Sequence, residues 1–354
     1  MIFFCFISCS EDNKENEINN CTVTNLNGVL EYNDLVLNIQ ENLIIAVTEQ
    51  PNSLGALGRN KDGYFHVRFQ LKMSKLTDYA IRFQSEEAIQ EYVNSLNYSF
   101  SYQNQEGDFQ LIVPPKLLNS PDYQPPSESD LASATAFFAY SLGVSLHSLT
   151  QSEWYNNSTS IDILKQNITD LNPNIQNMLN YLKNSAQLLR TADANAPNRL
   201  FFNAIAFYSL GTYLNDQESK NIGTQFAQEA LSQRNIEEGY FIESNGWDSS
   251  YNGVAIKLGF ELFTLLDNTI DQPLKDELEI AISCATDWQK SRILITGEIS
   301  TEGNTRVFPG GESFLGNEKE VDVLKTVWAF FYMSTLANDN DFEQLGLKTL
   351  DYYD

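Results

Sequence analysis

The sequence predicts an all-α chain arranged as an α/α toroid, an incomplete or full barrel of helical hairpins with short β or irregular segments near its N-terminus. Three observations lead there. From about Ser85 onward, apolar residues recur at helical spacing. The helices so marked alternate between half-polar ones and ones apolar nearly all round, the pattern of two concentric layers with the apolar helices inside. Finally, an acidic residue, Gly, any residue and Phe recur as Asp62-Gly63-Tyr64-Phe65, Glu106-Gly107-Asp108-Phe109 and Glu238-Gly239-Tyr240-Phe241. Gly permits the positive φ of a sharp turn off a helix end, and the Phe then plugs the turn into the core.

Taken in chain order, residues 29–47 hold short apolar stretches of either helical or extended type. Residues 64–83 fit a helix through Val67, Leu71, Leu76 and Ala80. Ser85 caps the next helix, whose first turn is acidic (Glu86, Glu87) and which runs to about Asn104. Ser129-Asp130 opens another, with Leu131, Ala134, Phe138, Leu142 and Leu146 on one stripe and Ala136, Phe137, Tyr140 and Val144 on a second. Further helices are expected over about 173–192, 197–214, 217–233, 249–268, 273–291, 319–337 and 340–352. Those over 249–268 and 319–337 are apolar nearly all round, which places them inside.

The chain has 354 residues, 42% of them hydrophobic, enough for one large core, and residues 25–354 read as a single domain. Lys and Arg number 22 against 47 Asp and Glu, a formal charge of −25. That balance argues against nucleic acid as a partner, since phosphate binding needs a basic footprint. An anionic substrate would need a local basic pocket.

The first eight residues are an apolar run, and Cys9 follows Ser8, the processing pattern of a lipoprotein signal with Cys9 as the lipidated residue. Residues 9–24 read as a polar tether. The acidic residues just after Cys9 resemble the surface-export signal of Bacteroidota lipoproteins. The resemblance implies an outer-membrane lipoprotein, held by its lipid anchor at the cell surface or on the periplasmic face. No other segment approaches the apolar length needed to span a bilayer. Cys21 and Cys284 are one possible disulfide. The absence of Cys-x-x-Cys and the presence of only two histidines argue against a zinc site. No metal or cofactor is expected.

Three polar clusters could carry chemistry. Residues 58–68 gather Arg59, Lys61, Arg68 and His66 in a chain short of positive charge. They read either as a basic pocket for an anionic sugar or as cations paired with surface carboxylates, and His66 as a site residue or a core histidine. Residues 243–253 (Glu-Ser-Asn-Gly-Trp-Asp-Ser-Ser-Tyr-Asn-Gly) precede an apolar helix. Asp248 or Ser249 can cap that helix, but a cap does not require Asn245, Trp247 and Tyr251 as well. Trp offers a stacking face for a sugar, Asn a donor for a carboxylate, and Tyr a proton-transfer group. The third cluster, 300–312, is a long Gly-rich loop holding Arg306 and Glu312. The planar fork of Arg306 matches a carboxylate. His147, late in the helix that begins at Ser129, reads as structural.

The turn motif, the run Asn245-Gly246-Trp247-Asp248-Ser249-Ser250-Tyr251-Asn252-Gly253 and the loop Glu302-Gly303-Asn304-Thr305-Arg306 together resemble the α/α-toroid polysaccharide lyases and related exported Bacteroidota proteins, over roughly residues 85–340. The resemblance implies a carbon–oxygen lyase acting by β-elimination on a uronic-acid-containing polysaccharide or oligosaccharide, an algal polymer such as ulvan being one such substrate. Either the next sugar or a hydroxyl leaves, as in a polysaccharide lyase or a sugar dehydratase. Donors aimed at the uronate carboxylate stabilise the enolate that forms when the neighbouring proton is removed. In this chain Tyr251 is the base or acid, with His66 as its alternative. Arg59, Arg68, Asn245 and Arg306 are the carboxylate ligands, Trp247 is the ring platform, and Asp248 and Glu312 complete the substrate-binding set. Two other readings compete: an α/α-type glycoside hydrolase removing uronyl ends through Asp130 and Asp248, and a non-catalytic glycan-binding surface lipoprotein.

Overall fold

The computed structural model describes residues 21–120, 123–314 and 317–354. The expected signal, the lipidated Cys9 and most of the expected tether lie outside them. The described chain is helical almost throughout. Two short helices, α1 (Tyr32–Leu37) and α2 (Glu41–Val47), are followed by single 3-10 turns at Gly58–Asp62 and Val67–Gln70. Then come α3 (Met73–Phe83), α4 (Glu86–Phe100), α5 (Pro115–Leu118) and α6 (Glu128–Gln151). The middle of the chain forms α7 (Glu153–Asn157), α8 (Asp162–Asp170), α9 (Asn172–Asp193), α10 (Pro197–Tyr213) and α11 (Gln217–Leu231). Next are α12 (Ser249–Leu265), α13 (Gln272–Ser291), the ribbon β1 (Ser313–Phe314) and β2 (Asn317–Glu318), α14 (Val323–Ala337) and α15 (Asn340–Tyr353). The N-terminal stretch that the sequence left between short strands and irregular backbone is helical over α1 and α2. Its one extended pairing among the described residues is the bridge of Phe65 with Ile112.

The helices form two rows. In one, α3, α6, α10, α12 and α14 pack each on the next. In the other, α4, α9, α11, α13 and α15 each pack on the member of the first row that precedes them. The first row is the core: α6, α10, α12 and α14 are buried over nearly their whole circumference, as all-round apolar sequence requires. Its helices run parallel, because cross-helix pairs advance together. Ser74 and Thr77 of α3 meet Ser141 and Ser145 of α6, and Gly253 of α12 meets Thr326 of α14 while Glu261 meets Tyr332. All five N-termini therefore point the same way. Helix α1 packs against α3, α6, α12 and α14 together.

The connections between hairpins repeat one device. Gly55, Gly107, Gly239 and Gly297 each have φ between +92° and +100°. Each lies so close to the outer helix of the following hairpin that a Cβ would strike a backbone carbonyl there: Asn94 in α4, Asn177 in α9, Cys284 in α13 and Lys348 in α15. After three of these turns a buried residue, Phe109, Phe241 or Ile299, pairs back with the chain before the turn. Two of the three sequence motifs thus belong to a real repeat. The third, at 62–65, does not: Gly63 also has positive φ but faces open space, and the equivalent position is Gly55. The turn at 296–299 escaped notice because Thr and Ile replace the acidic residue and Phe. Gly107→Ala should cost about 1–3 kcal/mol of stability through the strained conformation and more through the collision, whereas Gly63→Ala should cost only the former. Urea midpoints of the two variants test this.

Cys21 and Cys284 are joined as a disulfide, with Cα atoms 5.3 Å apart, closing a span of 263 residues. It fastens the N-terminal strand of chain onto α13, where the Leu26 N–H also donates to Glu279 at 2.6 Å.

Candidate functional site

The N-terminal end of the core row is where the connecting segments meet, and two of the three sequence clusters are stitched together there. Asp248 is the N-cap of α12. One oxygen accepts the N–H groups of Ser250 and Tyr251, both at 3.1 Å, and the other accepts those of Arg306 (3.0 Å) and Val307 (2.8 Å). One carboxylate thus fixes both the helix start and the 300–312 loop. Asn304 adds to the join by accepting from the Ser249 N–H at 2.9 Å, and Thr305 donates its N–H to the Trp247 carbonyl at 3.0 Å. The cost is that Asp248 is 0% exposed with every lone pair engaged. The expectation that it touches substrate, or serves as half of a hydrolase's carboxylate pair, is corrected accordingly: Asp248 is a positioning residue.

What Asp248 positions is Tyr251. Its hydroxyl donates to Glu312 Oε2 at 2.8 Å and receives a hydrogen bond from the Lys319 ammonium. The Arg306 guanidinium lies 4.3 Å from the ring centroid and the Lys319 ammonium 4.2 Å. Arg306 in turn pairs with Glu243 through one nitrogen and with Glu312 through another at 3.0 Å, while Lys319 reaches Glu312 at 3.6 Å. Burial, and then the hydrogen bond to Glu312, push the Tyr251 phenol well above its ordinary value despite Arg306, so the resting tyrosine holds its proton. Burial also pushes the Glu243 carboxyl up to about 7 against the pull of Arg306. The Glu243–Arg306 pair thus sets the pull of the guanidinium against the cost of burying the carboxylate.

Arg68 comes to this mouth from the segment before α3. Its guanidinium lies 4.5 Å from the Phe137 ring centroid, is open to solvent, and makes no ion pair among the described residues. Burial lowers its pKa, and the charges of Arg199, Tyr251, Asp130 and Asp193, on α10, α12, α6 and at the end of α9, also act on it. Asp193 itself is occupied, bonded to Arg199 at 3.2 Å and to Asn203 at 2.9 Å.

The remaining candidates sort as follows. His66 accepts the Arg68 N–H on Nδ1 at 3.3 Å and packs on Phe69, and burial lowers its pKa to about 4, keeping it neutral. Arg59 sits in the first 3-10 turn over Phe69, 5.9 Å from that ring's centroid. Asn245 occupies the exposed tip of a tight turn closed by Glu243 and Gly246, with φ of 70°, so its residue type answers to turn geometry. Trp247 is half-buried against Tyr240 and the 302–303 segment. Asp130 is tied into the capping box of α6 with Ser127. His147 lies in the C-terminal part of α6, its Nε2 buried without a partner, in keeping with a structural role. A concavity of about 730 Å³ lies at the opposite, C-terminal ends of α3 and α6 and holds none of the candidates.

Sequence reasoning missed Lys319, which it had placed inside a helix; α14 starts only at Val323, and Lys319 belongs to the segment leading into it. Among the described residues no cluster of metal-ligating side chains occurs. No protein-family model matches the chain, and comparison with curated proteins finds no similar sequence.

Proposed function

We propose that the two rows of helices close into an α/α toroid and that the chain is a carbon–oxygen lyase, cleaving uronate-containing oligosaccharide by β-elimination at the hollow around Tyr251. One observation carries the reading: the Tyr251 phenol is held between the Glu312 carboxylate and the Lys319 ammonium, with the Arg306 guanidinium over its ring. In this scheme Arg68 and Arg306 take the sugar carboxylate, Arg306 exchanging Glu243 for it. Their charge stabilises the enolate that forms when the proton at C5 leaves. Tyr251 acts first as an acid, giving its proton to the departing oxygen at C4, and Lys319 holds the resulting phenolate. His66, neutral beside Arg68, is the base. Trp247 lends a face to a neighbouring ring.

Two further observations support the reading. The Cys21–Cys284 disulfide fits an oxidising compartment, and hence export with a lipid anchor at the outer membrane. The accessible, unpaired Arg68 fits an acidic ligand in a protein of charge −25.

Incubation with a panel of uronate-bearing polysaccharides and their oligomers tests the proposal. A rise in ultraviolet absorbance from the new conjugated double bond is expected, and product mass separates loss of water from chain cleavage. Loss of absorbance from substrates that already carry an unsaturated uronyl end would replace elimination with hydrolysis. Binding with no product would reduce the protein to a glycan receptor.

A further inference from the structure

A second cavity, about 530 Å³, opens between the N-termini of α3 and α14 and reaches down to the middle of the core row. That volume is within the range of small-molecule sites. Its lining is largely apolar and includes Phe202, Trp328 and Tyr140. Four lysines also line it: Lys72, Lys75, Lys257 and Lys325.

The arrangement of their counter-charges is informative. Lys257 pairs with Glu261 at 2.5 Å and Lys75 with Asp78 at 2.7 Å, yet neither carboxylate lines the cavity; they are 0% and 1% exposed. Tyr140 donates to Glu261 at 2.7 Å and accepts from Lys257 at 2.7 Å, bridging the buried pair. The buried acids thus keep the lysines charged from behind, while an occupant meets the ammonium groups. Lys325 is paired with Asp322 and Lys72 with Glu49 at 3.0 Å, and these two carboxylates line the cavity beside the four lysines. The charge that faces a ligand is therefore positive, in a chain where acids outnumber bases by more than two to one. Ammonium groups beside aromatic rings, Lys75 at Trp328 and Lys257 at Tyr140, in a largely apolar lining suit a ligand with an apolar body and a carboxylate.

We propose that this cavity is a subsite for a single carboxylate-bearing sugar unit, the acid meeting the lysines, Lys257 and Lys325 among them, and the ring lying against the apolar wall. It adjoins the Tyr251 cluster, since the Asp322 N–H donates to Ser250 at 2.9 Å. The proposal rests on the function argued above only for the identity of the sugar.

The test is calorimetric titration of the Tyr251→Phe chain, which binds without turning over, with glucuronate, glucose and inorganic sulfate. Glucuronate is expected to bind saturably, glucose at least tenfold more weakly, and sulfate more weakly than glucuronate for want of a ring. Lys325→Met, at a partly exposed position, should weaken glucuronate binding about tenfold, as should Lys257→Met. Both variants are to be shown folded by circular dichroism and thermal melting. Equal affinity for glucose or sulfate would overturn the proposal. So would glucuronate binding that survives both lysine variants but is lost in Arg306→Gln, which would seat the ligand at the Tyr251 cluster instead. Absence of elimination products with intact, lysine-dependent binding would sink the lyase and leave the subsite standing.

Discussion

Replacing Tyr251 by Phe is expected to lower turnover of the uronate substrate by about 10²–10⁴-fold, the usual worth of a positioned proton donor, with KM nearly unchanged. The substitution removes one oxygen and little else. The ring stays under Arg306, and Glu312 still has Arg306 and Lys319 as partners at 3.0 and 3.6 Å. Binding of the sugar carboxylate, which depends on the arginines, should therefore survive. The pH profile offers a second readout. Because burial and Glu312 hold the phenol's proton far into the alkaline range, the wild-type rate should show no loss of the acid near the ordinary phenol value. Initial rates across pH, measured on wild type and variant, check both points. Turnover unchanged in Tyr251→Phe would remove this residue from the chemistry.

The largest stability effect is expected at Glu261. Glu261→Leu strips the counter-charge from Lys257 in the middle of the core, and breaking a buried pair on one side costs about 3–5 kcal/mol. The Tyr140 and Tyr332 hydroxyls, at 2.7 and 3.4 Å from Glu261, lose an acceptor as well. The sign of the pH dependence follows from Lys257. Burial lowers its pKa to about 8, assisted by the charges of Lys75 and Lys325 and opposed by Glu261. Without Glu261 the value falls further. A lysine depressed in the folded state favours folding while it is neutral, and that contribution is lost as pH falls from the unfolded value through the folded one. The variant should accordingly lose more stability at pH 6 than at pH 9. Adding Lys257→Met removes the stranded charge and should restore much of the loss. Thermal melts of the single and double variants decide it: an unchanged single variant, or a double variant no better than the single, would contradict the buried-pair account.

The long helices were legible from sequence because their signals are local. Ser85 and Asp248 announce caps, and all-round apolar runs announce burial. The structure's Pro197–Tyr213 and Gln272–Ser291 fall within a residue of the ranges expected for them. Helices α7 and α8 were not legible, since 153–170 is polar and α8 buries only Ile168. At the site, the meeting of the 243–253 and 300–312 clusters was foreseeable in residue type, but the agent of it was not. Asp248 joins them through backbone N–H groups, which no side-chain pattern encodes. Lys257 and Glu261 did leave a trace, an i,i+4 charge pair inside an otherwise apolar helix. Periodicity counts apolar positions and passed over it. Asn245 misled for the opposite reason, a turn residue having the same chemistry as a ligand.

The glycine turns give the row of hairpins the logic of overlapping roof tiles. Each of the four is clamped not by the hairpin it leaves but by the far helix of the one it enters, so the turns at Gly107, Gly239 and Gly297 seat only once the following hairpin has been laid over them. Excising α12 and α13 would leave Gly239 without its clamp, whereas lengthening the segments that run from a turn to the next core helix disturbs no lap at all. Those segments frame the mouth, which leaves its contents free to diverge while the tiling beneath stays put.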